Sequence, residues 1–117
     1  MSLKDTIRQS TIGAKAEYKT KEFTYNGEKV IFKQPSQKVR RDIIEKSTKS
    51  DGNVDTVALQ TWCVIYLTYD EKDQKVFEQA DFDLFMEQPV GSFVDKFAEI
   101  AIDLMGNPDE KDGEGES

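Results

Sequence analysis

Residues 62–106 read WCVIYLTYDEKDQKVFEQADFDLFMEQPVGSFVDKFAEIAIDLMG, and this stretch decides the fold. It holds the end of one apolar helix, a polar turn, a short apolar cluster and a second, amphipathic helix that stops at a glycine. In that last helix Val90, Phe93, Val94, Phe97, Ala101 and Leu104 fall at offsets 0, 3, 4, 7, 11 and 14, a single stripe with Ile100 beside it. Asp95, Lys96, Glu99 and Asp103 lie outside the stripe. Gly106 stands where a helix takes a left-handed closing residue, and Pro108 prevents continuation. Upstream, Val54–Thr68 is rich in β-branched and aromatic residues, which makes a strand the rival reading. Its length of about fifteen residues and the Asp51 or Asn53 cap ahead of it favour a helix. Val54, Ala58, Trp62, Ile65 and Tyr66, with Leu59 and Cys63 alongside, give that helix so broad an apolar face that it belongs at the centre. Between the two helices, Tyr69–Gln74 forms a charged turn and Val76 and Phe77 anchor the chain again. Asp81 is placed to cap a short helix, Phe82–Gln88, before Pro89.

Toward the N-terminus the pattern changes period. In EFTYNGEKVIFKQ, residues 22–34, Asn26-Gly27 is the dipeptide that supplies positive φ at both centres of a type I′ turn. Phe23 and Tyr25 share one face of the first strand, and Val30 and Phe32 share one face of the second. A hairpin of two strands is unstable alone, so this face must rest on helices. Ser36 is an N-cap for a helix over roughly Gln37–Ser47, with Val39, Ile43 and Ile44 turned inward. Thr48–Asn53 closes it as a loop. Residues 1–20 have few apolar positions. Leu3 and Ile7 suit one helix face, but Gly13 interrupts the pattern, and the segment reads as a flexible arm. Residues 107–117, NPDEKDGEGES, hold five acids, one lysine and nothing apolar, the composition of a disordered tail. The expected architecture is therefore α+β, mainly α. A single domain over 21–106 packs one N-terminal hairpin on three to four helices.

The composition closes off most chemistry. With 117 residues and no histidine, the chain lacks the usual general base near neutral pH and the usual nitrogen ligand for zinc. Its one thiol, Cys63, lies between Trp62 and Val64 without a basic neighbour and reads as a buried core residue. The DEKD turn at 70–73 has the charge of a calcium loop but not its glycine or closing glutamate, so no metal or other cofactor is expected. No Gly-rich loop offers a phosphate cradle. Residues 1–50 carry net +6 and residues 51–117 net −13. The basic half is interspersed with acids and the acidic half repels phosphate, which argues against nucleic acid. The same dipole suits head-to-tail association of copies. No apolar run approaches a membrane span and no signal peptide opens the sequence, so the expected location is the cytoplasm.

The elements from the hairpin to Gly106 resemble the tail assembly chaperones of tailed bacteriophages and prophages, the XkdN-like group in particular. The likeness is carried by a helix ending VIYLTYD, a charged turn, KVFEQADFDLFMEQPVGSFVDKFAEIAIDLMG and an acidic end. It covers roughly residues 22–106 and rests on order, size and apolar spacing, with no catalytic motif. It implies a non-enzymatic protein of the bacterial host cytoplasm that coats the long helical tape measure protein before tail tube subunits polymerise around it. It also implies absence from the finished virion and, in many members, a longer form made by ribosomal frameshifting. A holdase for such a client needs an apolar groove with charged flanks. Phe82, Phe85 and Met86 share a helical face at i, i+3 and i+4 and are either core or the partner-binding surface. The competing readings are a tail or head–tail connector subunit retained in the particle, and an acidic mimic of nucleic acid.

Overall fold

The computed structural model describes residues 2–7 and 18–106. The expected acidic tail and most of the expected arm lie outside them. Leu3–Ile7 forms a one-turn helix, α1. The hairpin follows as β1, Thr20–Tyr25, and β2, Glu28–Lys33, with Asn26 at φ 51° and Gly27 at φ 83° as the type I′ turn requires. Their register pairs Phe23 with Val30 and Tyr25 with Glu28. Phe23, Tyr25, Val30 and Phe32 therefore share the face turned to the helices. The pairing continues into the expected arm, since Gln34 N–H donates to Lys19 O at 2.8 Å.

Helix α2 spans Gln37–Lys46, and the Ser36 hydroxyl accepts from the Val39 N–H at 3.2 Å, the cap the sequence called for. Ile43 is fully buried and Val39 half-buried. Ile44, also expected inside, is exposed one position further round. The 48–54 loop is itself a tight hairpin, with a Thr48–Val54 bridge and Lys49 N–H donating to Asn53 O at 2.7 Å.

That hairpin corrects two expectations about the central helix. Helix α3 spans Thr56–Leu67, so Val54 lies outside it and is exposed. The cap is Asp55, whose Oδ1 accepts from both Val57 and Ala58 N–H at 3.1 Å. Asp51 instead closes its own loop on Asn53 N–H, and the Asn53 carbonyl accepts from the Lys49 N–H. The central position of α3 is as expected. Cys63, Val64, Ile65 and Leu67 are buried in the core, between α2, the sheet and the helices that follow. Two buried hydroxyls turn back on the helix: Thr61 donates to Val57 O at 2.9 Å and Thr68 to Val64 O at 2.6 Å. Neither leaves an orphan donor in the core.

A short third strand was not foreseen. β3, Thr68–Tyr69, leaves α3 directly and pairs antiparallel with β2, Thr68 opposite Phe32 and Tyr69 opposite Ile31. Both residues favour extended backbone, and β2 offers an open edge for them. The charged turn after it is organised by Asp70, whose Oδ1 accepts from Lys72 N–H at 2.8 Å and Gln74 N–H at 3.0 Å.

A 3₁₀ turn, Gln79–Asp81, precedes α4, which spans Phe82–Met86 and is shorter than the expected 82–88. Asp81 does not cap α4. Its carboxylate reaches back to the Glu78 N–H at 2.8 Å and fastens the 3₁₀ turn. The last helix, α5, spans Phe93–Leu104. Val90, expected at the head of its stripe, lies outside it. Gly91 at φ 90° and the Ser92 N–H to Pro89 O bond of 3.2 Å make residues 89–92 a type II turn, with Val90 on its outer corner. Of the rest of the stripe, Val94, Phe97, Ala101 and Leu104 are buried and Phe93 is half-buried. Gly106 closes the helix at φ 80°. The Phe97 ring meets Phe23, Tyr25, Phe32 and Phe93 edge-on at centroid distances of 5.4–6.0 Å and knits α5 to the hairpin.

Candidate functional site

The sequence singles out Phe82, Phe85 and Met86 on α4, and the fold sends these three side chains to three environments. Phe82 lies flat on Trp62 of α3, with centroids 4.3 Å apart and planes 14° apart, and is half-buried. Phe85 points inward, meeting Phe77 at 4.8 Å and Phe93 at 5.3 Å edge-to-face, and is 6% exposed. Met86 remains 42% exposed, with its sulfur 3.5 Å from the Thr61 hydroxyl. A helix of five residues cannot present a continuous face. Its first turn covers α3, and its last residue stands at the rim.

Phe85 and Met86 nevertheless share one cavity. A cleft of about 130 Å³ opens where the first turn of α3, the end of α4 and the 89–92 turn converge. Phe85 and Val94 form its apolar floor, Thr61 and Gln60 one wall, and Met86, Val57 and Val90 its mouth. Its size is near that of cavities that accept one aromatic ring or one large aliphatic side chain. Val57 is 56% and Val90 97% exposed, so three apolar side chains surround one opening. The Ser92 hydroxyl is buried at its edge without a hydrogen-bond partner, a polar group that a ligand's donor or acceptor would satisfy. One exposed acid, Asp95, lines the cleft as well. Asp95 holds the turn in place by accepting from the Gly91 N–H.

Val57 and Val90 were not assigned to this site from the sequence. Helical periodicity placed Val90 in the core stripe, and only the Val90-Gly91 turn dipeptide, read as i+1 and i+2 after Pro89, signals otherwise.

No thiol, amine or imidazole is among the described residues that line the cleft. Cys63 is fully buried elsewhere, and burial pushes its thiol pKa up to about 12, which keeps it protonated and unreactive as a nucleophile. Among the described residues no three His, Cys, Asp or Glu side chains are grouped to hold a metal ion. No helix among them is long and apolar enough to cross a membrane. The arrangement can take an apolar side chain, with the Asp95 carboxylate and the Ser92 hydroxyl beside it.

No protein-family model matches the chain, and no curated protein matches it in sequence. In structure it is similar to the bacteriophage HK97 tail assembly chaperone, at a TM-score of 0.57 and 18% sequence identity, over 90% of this chain and 98% of that one. At that identity the likeness is one of fold. It agrees with the family that the order and spacing of the elements suggested.

Proposed function

We propose that this chain is a tail assembly chaperone of a tailed phage or prophage, a non-catalytic protein that binds the tape measure protein and keeps it soluble while the tail is built in the host cytoplasm. The observation that carries the reading is the apolar cleft ringed by Val57, Met86 and Val90, on a fold similar to that of a phage tail assembly chaperone over nearly its whole length. A long amphipathic helix exposes one large apolar side chain per turn and aggregates in water unless that stripe is covered. The cleft takes one such side chain. Methionine at its mouth adapts to different shapes, and the acidic excess of residues 51–117 keeps the complex soluble. Since one cleft covers about one turn, many copies would be needed along a long client. Phe85 builds the floor, Met86 makes the contact, and Phe82 supports α4 from behind.

The test is co-expression with the cognate tape measure protein, followed by size-exclusion chromatography with light scattering. The expected result is a soluble complex with several copies of this chain per client. If the client stays insoluble and the chain elutes alone, the reading is lost, and detection of the chain in purified virions would establish a retained structural subunit instead.

A further inference from the structure

A second cleft, of about 350 Å³, has a different character: Tyr18, Lys33, Val39, Tyr66, Tyr69 and Lys75 line it. Alternation along β2 turns Phe32 to α5 and Lys33 to the opposite face of the sheet. There the Lys33 ammonium lies 4.5 Å from the centre of the Tyr69 ring and pairs with Asp73. The Lys75 ammonium lies 4.7 Å from the centre of the Tyr66 ring, and no carboxylate of the described residues comes within ion-pair distance of it. Within ion-pair distance the two cations share one acid, Asp73, while the Asp42 charge acts from farther off on the Tyr66 phenol, and Lys75 is partly desolvated against an aromatic face. Such a cation gains from an added counter-charge, because the attraction is less screened than at an open surface. Three phenols around it can donate hydrogen bonds to carboxylates.

We propose that this cleft binds a carboxylate-bearing peptide, and that residues 107–117 of the same chain, NPDEKDGEGES, are its occupant. The first reason is charge: the segment holds five acids against one lysine. The second is tethering. Asp103, near the end of α5, is tied to Lys21 of β1 at 3.2 Å, and Lys21 stands opposite Phe32, the neighbour of Lys33. The segment therefore leaves Gly106 at the end of the sheet where Lys33 lies. Its eleven residues span up to about 35 Å, several times the 4.8 Å or so between adjacent strands that it must round. Attachment at Gly106 gives the acids an effective concentration on the order of millimolar, so individually weak contacts suffice. The occupied cleft withholds a basic, aromatic surface from acidic segments of other chains.

The experiment compares ¹⁵N–¹H spectra of the full chain with those of a chain ending at Gly106. Expected are shift differences at Lys33, Tyr69 and Lys75, independent of protein concentration and erased by 0.5 M salt. A synthetic peptide of residues 107–117 added to the shortened chain should restore them. Lys75→Gln, an exposed substitution that leaves the fold in place, should weaken that peptide about three- to fivefold, the scale of one screened ion pair. Differences confined to residues 103–106, or located on the outer face of α2, would overturn the proposal. Differences that vanish on dilution would also overturn it, and would assign the occupant to a second copy.

Discussion

The seam where α5 meets the hairpin and the corner where α4 meets α5 are made of the same kinds of residue, yet they have opposite relations to water. At the seam, Phe97 meets four rings and is almost fully covered. At the corner, Phe85 is as well covered, but Met86 next to it, Val57 and Val90 stand exposed around a cleft. The difference comes from partners. A twelve-residue helix lying on a sheet covers its stripe along its whole length, whereas a five-residue helix followed by a type II turn covers only its first turn. Exposed apolar side chains collected around one concavity, beside a core that did bury its share, are the reason a binding surface is proposed at the corner.

The largest effect on stability is expected at the seam. Phe97→Ala removes a ring from four aromatic contacts and should cost about 3–5 kcal/mol in denaturant unfolding, enough to unfold a domain of ordinary stability. A cost under about 1 kcal/mol would mean that the seam is not the core. Phe85→Ala should cost about 3 kcal/mol, since it keeps fewer ring partners. If it leaves stability unchanged and abolishes client solubilisation, Phe85 is a contact residue and the corner has no floor of its own.

Cys63 tests the dryness of the interior through pH. Its folded pKa is raised from 9.0 to about 12, so above pH 9 the unfolded chain releases a proton that the folded chain keeps. Stability attributable to this thiol is intact below pH 9 and falls by about 1.4 kcal/mol per pH unit between 9 and 12. The measurement is the difference in alkaline unfolding between the wild type and Cys63→Ala, which isolates the thiol. Equal slopes would mean that water reaches the thiol.

Asp55→Ala removes the acceptor for two N–H groups at the head of α3 and should cost about 1 kcal/mol, read from the urea midpoint. The smallest effect on folding belongs to the corner's mouth. Met86→Gln with Val90→Ser should shift stability by no more than about 0.5 kcal/mol while client solubilisation in the co-expression assay is lost. Retention of solubilisation would move the binding surface away from this cleft.

Features written in a few neighbouring residues were legible in advance. Asn26-Gly27 specifies its turn because only residues tolerant of positive φ fit both centres. Ser36 caps α2 and Gly106 closes α5 for reasons equally local. The amphipathic stripe of α5 from Phe93 onward followed from spacing alone, as did the central position of α3, which is buried or half-buried from Thr61 to Leu67. The α+β architecture that results has the expected hairpin and helices, with β3 added.

The remaining features depended on partners distant in sequence. Thr68–Tyr69 becomes a strand because β2 has an open edge beside it, and nothing in VIYLTYD marks where the helix must yield. Val54 and Val90 fit their helical stripes by spacing, but a loop hairpin claims one and a type II turn the other before either helix begins. The face shared by Phe82, Phe85 and Met86 is correct as helical geometry. Whether a side chain on it is covered depends on where Trp62, Phe77 and Phe93 stand, and those positions are set by packing across the domain. Local backbone preference is determined by neighbours in the chain and was fixed by the sequence itself. Exposure, and with it the candidate site, is determined by neighbours in space, because an apolar side chain is hidden only when another element arrives to cover it.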